Sequence, residues 1–130
     1  MKIDENAYNL ATLLRAHELG CIDAVALKIS KFGGLSAMRR ARDLCVHLGA
    51  QICAECTWGS DIVTAAALHF AASTPENSLM NTCDLSSYVS PRLCAEAPTR
   101  SEGRIAPPEG PGLGVAPELE VLGTPILELA

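Results

Sequence analysis

Aromatic side chains are scarce in this sequence: two phenylalanines, two tyrosines and one tryptophan among 130 residues. A core must therefore be assembled from smaller apolar groups. Alanine and leucine are plentiful, a composition suited to close packing of helices on strands. Positive charge is also short. Ten Lys and Arg stand against fifteen Asp and Glu, a net charge of -5. That balance argues against a nucleic-acid surface, which needs a concentrated basic face. The one basic cluster, Arg39-Arg40-Arg42, is expected on the wet side of a helix. No apolar run reaches the roughly 18 residues of a membrane-spanning helix. The first residues lack the basic-then-apolar layout of a signal peptide. The expected compartment is the cytosol, with neither membrane nor nucleic acid as a partner.

Metal-ligand spacing is missing as well. The three histidines are not placed for ligation, and His17-Glu18 lacks the second histidine of an HExxH helix. His17 and His69 are expected to be packing or surface residues. Cys53-Ala-Glu-Cys56 is formally a CxxC, but residues three apart on a strand point to opposite faces, and there is no second pair. The six cysteines lie within apolar segments. Without an export signal they read as reduced, mostly buried small apolar side chains.

What the sequence does contain is an alternation of short apolar strands and amphipathic helices. Residues 1–4 read as the end of a strand. Helices are expected over 6–19, with Ala7, Leu10, Ala11 and Leu14 as the buried stripe, over 36–48, and over 61–72. Strands are expected over 23–29, 51–56 and 77–83. The strand-to-strand interval is about 27 residues, which predicts parallel strands joined by right-handed helical crossovers. The resulting class is α/β, either doubly wound or half of a (β/α)8 barrel, because a whole barrel takes about 250 residues. After Ser86 prolines crowd the chain, so residues 1–88 are expected to form the partial barrel. Residues 89–130 should be an irregular tail packing on the barrel or on a capping domain, with a short strand near 103–106. The expectation from these lengths is a fragment.

Strand parity supplies the candidate chemistry. Ala24, Ala26 and Lys28 fall on one face and Val25, Leu27 and Ile29 on the other. Small inner side chains leave room for Lys28 at the carboxyl end of its strand, where barrel active sites lie. A desolvated lysine there has a lowered pKa and can serve as a base; the alternative is a side chain that reaches out to solvent. Asp4 holds the same position on the preceding strand. It suits Mg2+ as a hard oxygen ligand, or else it caps the helix beginning near Asn6. Glu5 reads as a cap or first-turn acid. Asp84 closes the last strand and could hold a cationic group of a ligand, or cap the turn at Ser86-Ser87. Trp58 could line a pocket or cover the barrel mouth. Gly33-Gly34 reads as a tight turn more readily than as a phosphate cradle.

Taken together, Lys2-Ile-Asp-Glu5, Ala26-Leu-Lys-Ile-Ser-Lys-Phe-Gly-Gly34, Ala65-Ala-Ala-Leu-His69 and Pro111-Gly-Leu-Gly114 resemble the enolase superfamily, in its mandelate-racemase and muconate-lactonizing branch. Within that branch, Thr57-Trp-Gly-Ser-Asp-Ile-Val-Thr64 and Asn81-Thr-Cys-Asp-Leu-Ser-Ser-Tyr88 are similar to the cis-3-hydroxy-L-proline dehydratases and to the related proline-betaine epimerases. The resemblance implies that the chain is the C-terminal half of a (β/α)8 barrel capped by a second domain, with one Mg2+ held by three acids, of which Asp4 is one. It implies two lysines flanking the α-carbon of a small amino-acid substrate, of which Lys28 is one. Asp84 would then face the substrate ammonium and Trp58 would border the pocket. Two departures stand out. Cys56 occupies a place where relatives carry an acid, and residues 90–102 fit the relatives poorly. With one base of two and one metal ligand of three, the chain by itself is expected to be inactive or nearly so. It would act as a piece of a lyase or epimerase, or as a remnant that pairs with a complementing half-barrel or a second copy.

Overall fold

The central strand β2, Ala24–Lys28, is buried along its whole length. Its flanks explain this. On one side lies β1, Lys2–Ile3, and on the other β3, Gln51–Glu55, followed by β4, Leu79–Cys83. The order is β1-β2-β3-β4 and every pairing is parallel, as the alternating pattern predicts. The computed structural model of the chain describes residues 1–128.

Four helices and two short turns connect or follow the strands. Helix α1 is Leu10–Glu18, α2 is the single turn Ile29–Phe32, α3 is Leu35–His47 and α4 is Ser60–Ala72. The cluster Val25, Leu27, Met38, Ala41, Cys45, Ile52, Ala54, Phe70 and Ala71 joins the outer face of the sheet to α3 and α4. Burial pushes the Cys45 thiol up to about 12, so it is a small apolar filler. All six cysteines are free.

Several boundaries differ from the sequence expectation, each for a local reason. Helix α1 is capped by Asn9, whose Oδ1 accepts from the Thr12 N–H at 2.9 Å. It therefore starts later than Asn6, and its phase changes: Leu13 is buried, whereas Leu10 and Leu14 are exposed. Ile29 belongs to α2, not to the strand, because Gly33 closes a helical turn in the left-handed conformation, with φ 78°. Residues 76–78 form a 3-10 turn before β4. Arg42 is not on the wet face with Arg39 and Arg40. Its guanidinium donates to the Ser73 carbonyl at 3.0 Å and to Ser73 Oγ at 2.7 Å, satisfying a group at the end of α4 that lacks a helical partner.

The tail also departs from expectation. Residues 103–106 are not a strand; Ser101 and Arg104 exchange backbone hydrogen bonds of 2.8 and 2.9 Å across a tight turn. Glu102 and Gly103 both have positive φ there, the mark of a type I′ turn. A last turn, α5, spans Leu119–Leu122. The tail is fastened to α4. The Asp61 carboxylate accepts from Arg92 Nε at 2.6 Å and from the backbone N–H groups of Leu93 and Cys94 at 2.8 and 3.2 Å. His69 Nε2 lies 3.1 Å from the Leu113 carbonyl oxygen. The last two residues of the 89–130 range lie outside the described residues.

No helix of the described residues is long and apolar enough to cross a membrane. Gly59 is required by space. A Cβ on Gly59 would lie 2.5 Å from Val63 Cγ2 and 2.8 Å from its Cβ. Gly59→Ala should therefore lower stability by about 1–3 kcal/mol through overpacking, read as an earlier chemical-denaturation midpoint with an unchanged slope.

Candidate active site

The carboxyl ends of the strands carry two groups of functional side chains. The first centres on Lys28, whose side chain is only 3% exposed. Register explains one partner: Lys28 pairs with Glu55 across β2 and β3, which puts both side chains on the inner face, with Nζ 3.1 Å from Glu55 Oε1. Asp4, one residue past β1, places Oδ1 2.6 Å from Nζ. Glu5 also contacts Nζ through Oε1 and reaches Lys31 through Oε2 at 3.0 Å. Lys28 thus does not run out to solvent, and Asp4 is not the cap of α1. Glu5 is not a cap either; Lys28 and Lys31 hold its carboxyl down at about 2.

The expected lowering of the Lys28 pKa is not found. Burial by itself would lower it, but hydrogen bonds to Asp4, Glu5 and Glu55 outweigh desolvation and hold the amine above the ordinary lysine value. As arranged, Lys28 is an ammonium. It can accept a proton only where another cation takes up part of that carboxylate charge.

The second group surrounds Asp84, just beyond β4. Its side chain is 2% exposed. Its two oxygens differ in their partners. Oδ1 accepts from the Ser87 N–H at 3.2 Å, capping the 3-10 turn Ser86–Tyr88. Oδ2 is buried with no hydrogen-bond partner, an unmet acceptor that calls for a donor. Trp58 is 58% exposed, with its ring centroid 6.3 Å from that of Tyr88.

The loop carrying Trp58 is strained: Thr57, Trp58 and Ser60 have φ of 50°, 61° and 73°. Non-glycine residues in this region cost about 1–3 kcal/mol each and collect at functional sites. The loop is held by Ser86 Oγ donating to the Ser60 carbonyl at 2.8 Å, and by Ser30 Oγ and Thr57 Oγ1, 3.2 Å apart. That last contact joins the β2 and β3 ends of the rim.

The structure therefore brings Asp4 and Lys28 into direct contact and places Asp84 and Trp58 in a neighbouring group on the same rim. Glu55 and Tyr88 were missed in the sequence. Parity could have found Glu55, since it falls on the Lys28 level once the strands are aligned. Carboxylate oxygens suit Mg2+ in kind, but not in number. Among the described residues no group of three or more His, Cys, Asp or Glu could hold a metal ion, and the Asp4 oxygen faces an ammonium. Asp4 fits as one donor of a metal site that other groups would complete.

Known proteins resemble the chain along most of its length. Residues 2–121 match the family model described as enolase C-terminal domain-like. The chain is 41% identical over 124 residues to a cis-3-hydroxy-L-proline dehydratase of Roseibium aggregatum, covering 95% of this chain and 34% of that protein. It is 29% identical over 121 residues to muconate cycloisomerase 1 of Rhodococcus opacus, covering 93% of this chain and 32% of that protein. A solved mandelate racemase/muconate lactonizing enzyme of Roseovarius nubinhibens superposes with a TM-score of 0.91 at 40% identity, over 98% of this chain and 34% of that one. Another from the same organism, solved in complex with magnesium, gives a TM-score of 0.90 at 32% identity, over 97% of this chain and 34% of that one. The chain spans about a third of the length of these relatives. Its parallel sheet, its helical crossovers and its match over residues 2–121 make it a member of the enolase C-terminal domain-like family, with the fold of a portion of the barrel of mandelate racemase and muconate lactonizing enzymes.

Proposed function

We propose that this rim contributes to abstraction of the α-proton of a small amino-acid carboxylate, with dehydration of cis-3-hydroxy-L-proline as the reaction. The observation that carries the reading is Lys28, buried on the inner face at the end of β2 with Asp4 at 2.6 Å. A lysine in that place moves the proton at the α-carbon: the amine takes it and the ammonium returns it. Asp84 would receive the substrate ammonium at its unmet oxygen, and Trp58 and Tyr88 would wall the pocket. Asp4 would supply one ligand to Mg2+, the remaining donors coming from outside these residues. Magnesium, when bound, supplies positive charge against the negative charge that grows on the substrate carboxylate. In the dehydration the C–H electron pair forms the ring double bond, the 3-hydroxyl leaves as water, and the enamine tautomerises to pyrroline-2-carboxylate. In an epimerisation a proton returns to the opposite face instead.

A graft tests this directly. The chain replaces the matched third of the Roseibium aggregatum dehydratase, and the product from cis-3-hydroxy-L-proline is followed by NMR in the presence of Mg2+. Pyrroline-2-carboxylate is expected. An epimer with its hydroxyl retained would move the assignment to a racemase or epimerase of the same superfamily. A folded graft that does neither would remove the chain from this chemistry.

A further inference from the structure

The tail places a cation of its own against Asp84. Arg100 Nε lies 3.5 Å from Asp84 Oδ2, its Nη2 donates to Ser87 Oγ at 2.9 Å, and its guanidinium carbon stands 5.6 Å from the centre of the Tyr88 ring. The loop that presents Arg100 is pinned on both sides. Arg92, itself bound to Asp61, donates to the Pro98 carbonyl at 3.2 Å, and the Ser101–Arg104 turn follows immediately. Arg100 is therefore delivered to the slot by a built loop and is not a free surface side chain.

Yet the contact is loose. At 3.5 Å the pair attracts by charge, and Oδ2 still accepts no hydrogen bond. The Asp84 side chain is 2% exposed whereas that of Arg100 is 47% exposed. A buried carboxylate oxygen without a donor gains more from a short charged hydrogen bond than from a distant guanidinium. The half-exposed arginine can swing into water at little cost. A compact ammonium that reaches Oδ2 would win the site, and it must displace Arg100 to do so.

We propose that Arg100 is an internal competitor for the ammonium slot of Asp84, a specificity residue that sets how tightly an amino-acid ligand binds. This rests on the reading of Asp84 given above as the ammonium acceptor.

Trp58 is the only tryptophan and its ring lies beside Tyr88, so its fluorescence reports on the slot. Titration of the protein with L-proline as probe is compared for the unsubstituted chain, Arg100→Ala, Arg100→Gln and Asp84→Asn, with circular dichroism confirming the fold of each. Both Arg100 variants should bind the probe about two- to fivefold tighter, the strength of a half-exposed ion pair removed from competition. Asp84→Asn keeps an acceptor for the Ser87 N–H but loses the charge, and should bind roughly tenfold more weakly. A merely structural Arg100 would change the melting temperature and leave probe affinity unmoved. If Asp84→Asn weakens binding while neither Arg100 variant tightens it, the competitor role is overturned and the Asp84 reading stands. If Asp84→Asn binds as the unsubstituted chain does, the Asp84 reading falls, and the competitor role falls with it.

Discussion

In the grafted dehydratase, Lys28→Arg should keep the fold and lose turnover by about a thousandfold, the scale of a missing general acid–base. The variant separates two roles that alanine would remove together. Arginine keeps a positive charge among Asp4, Glu5 and Glu55, which all approach Lys28 Nζ, so the carboxylates remain neutralised. It cannot give up its proton near neutral pH. If Lys28 served only as a countercharge, Lys28→Arg would retain most of the activity and only Lys28→Ala would fail. Melting temperature and steady-state rate measured on the same preparations distinguish the two.

Asp61→Ala should be the most damaging single change to the fold of the chain itself. The Asp61 side chain is 2% exposed and receives Arg92 Nε together with two backbone N–H groups of the tail. Its loss strands those donors and should cost about 3 kcal/mol. Protease cutting within residues 90–104 should accelerate in parallel, because the tail loses its fastening to α4. The pH dependence follows from the same contacts. Burial alone would raise the Asp61 carboxyl, but Arg92 and the N–H groups of Leu93 and Cys94 outweigh it and hold it below the usual 3.8. A carboxyl lowered by folding stabilises the chain fully above its unfolded value. That contribution is lost as pH falls through the folded value. Stability should therefore drop in acid below about pH 4, and the drop attributable to this group should be absent in Asp61→Asn.

Much of the scaffold was readable because it depends on short-range pattern. The period of alternation places all four strands, and parity places Lys28 and Asp4 on the inner face, where their contact is found. The errors have equally local causes. Asn9 starts α1 later than Asn6, and that shift moves Leu13 into the core and Leu10 and Leu14 out. The pKa of Lys28 was misjudged in direction because burial was visible from parity, whereas the convergence of three carboxylates from the ends of β1 and β3 was not. Arg42, Asp61 and Arg100 each act on residues dozens of positions away or on the far side of a turn, with partners at Ser73, Arg92 and Asp84. Nothing in spacing announces such pairs; they exist only once α3 has packed beside α4 and the tail has folded back on α4 and the rim.

The central claim is that Lys28 moves the α-proton. The most direct measurement is deuterium incorporation at the α-carbon of the substrate in D2O, followed by proton NMR, for the graft carrying Lys28 and for the graft carrying Lys28→Arg. The account predicts incorporation by the first and about a thousandfold slower incorporation by the second. Equal rates in two folded grafts would contradict it.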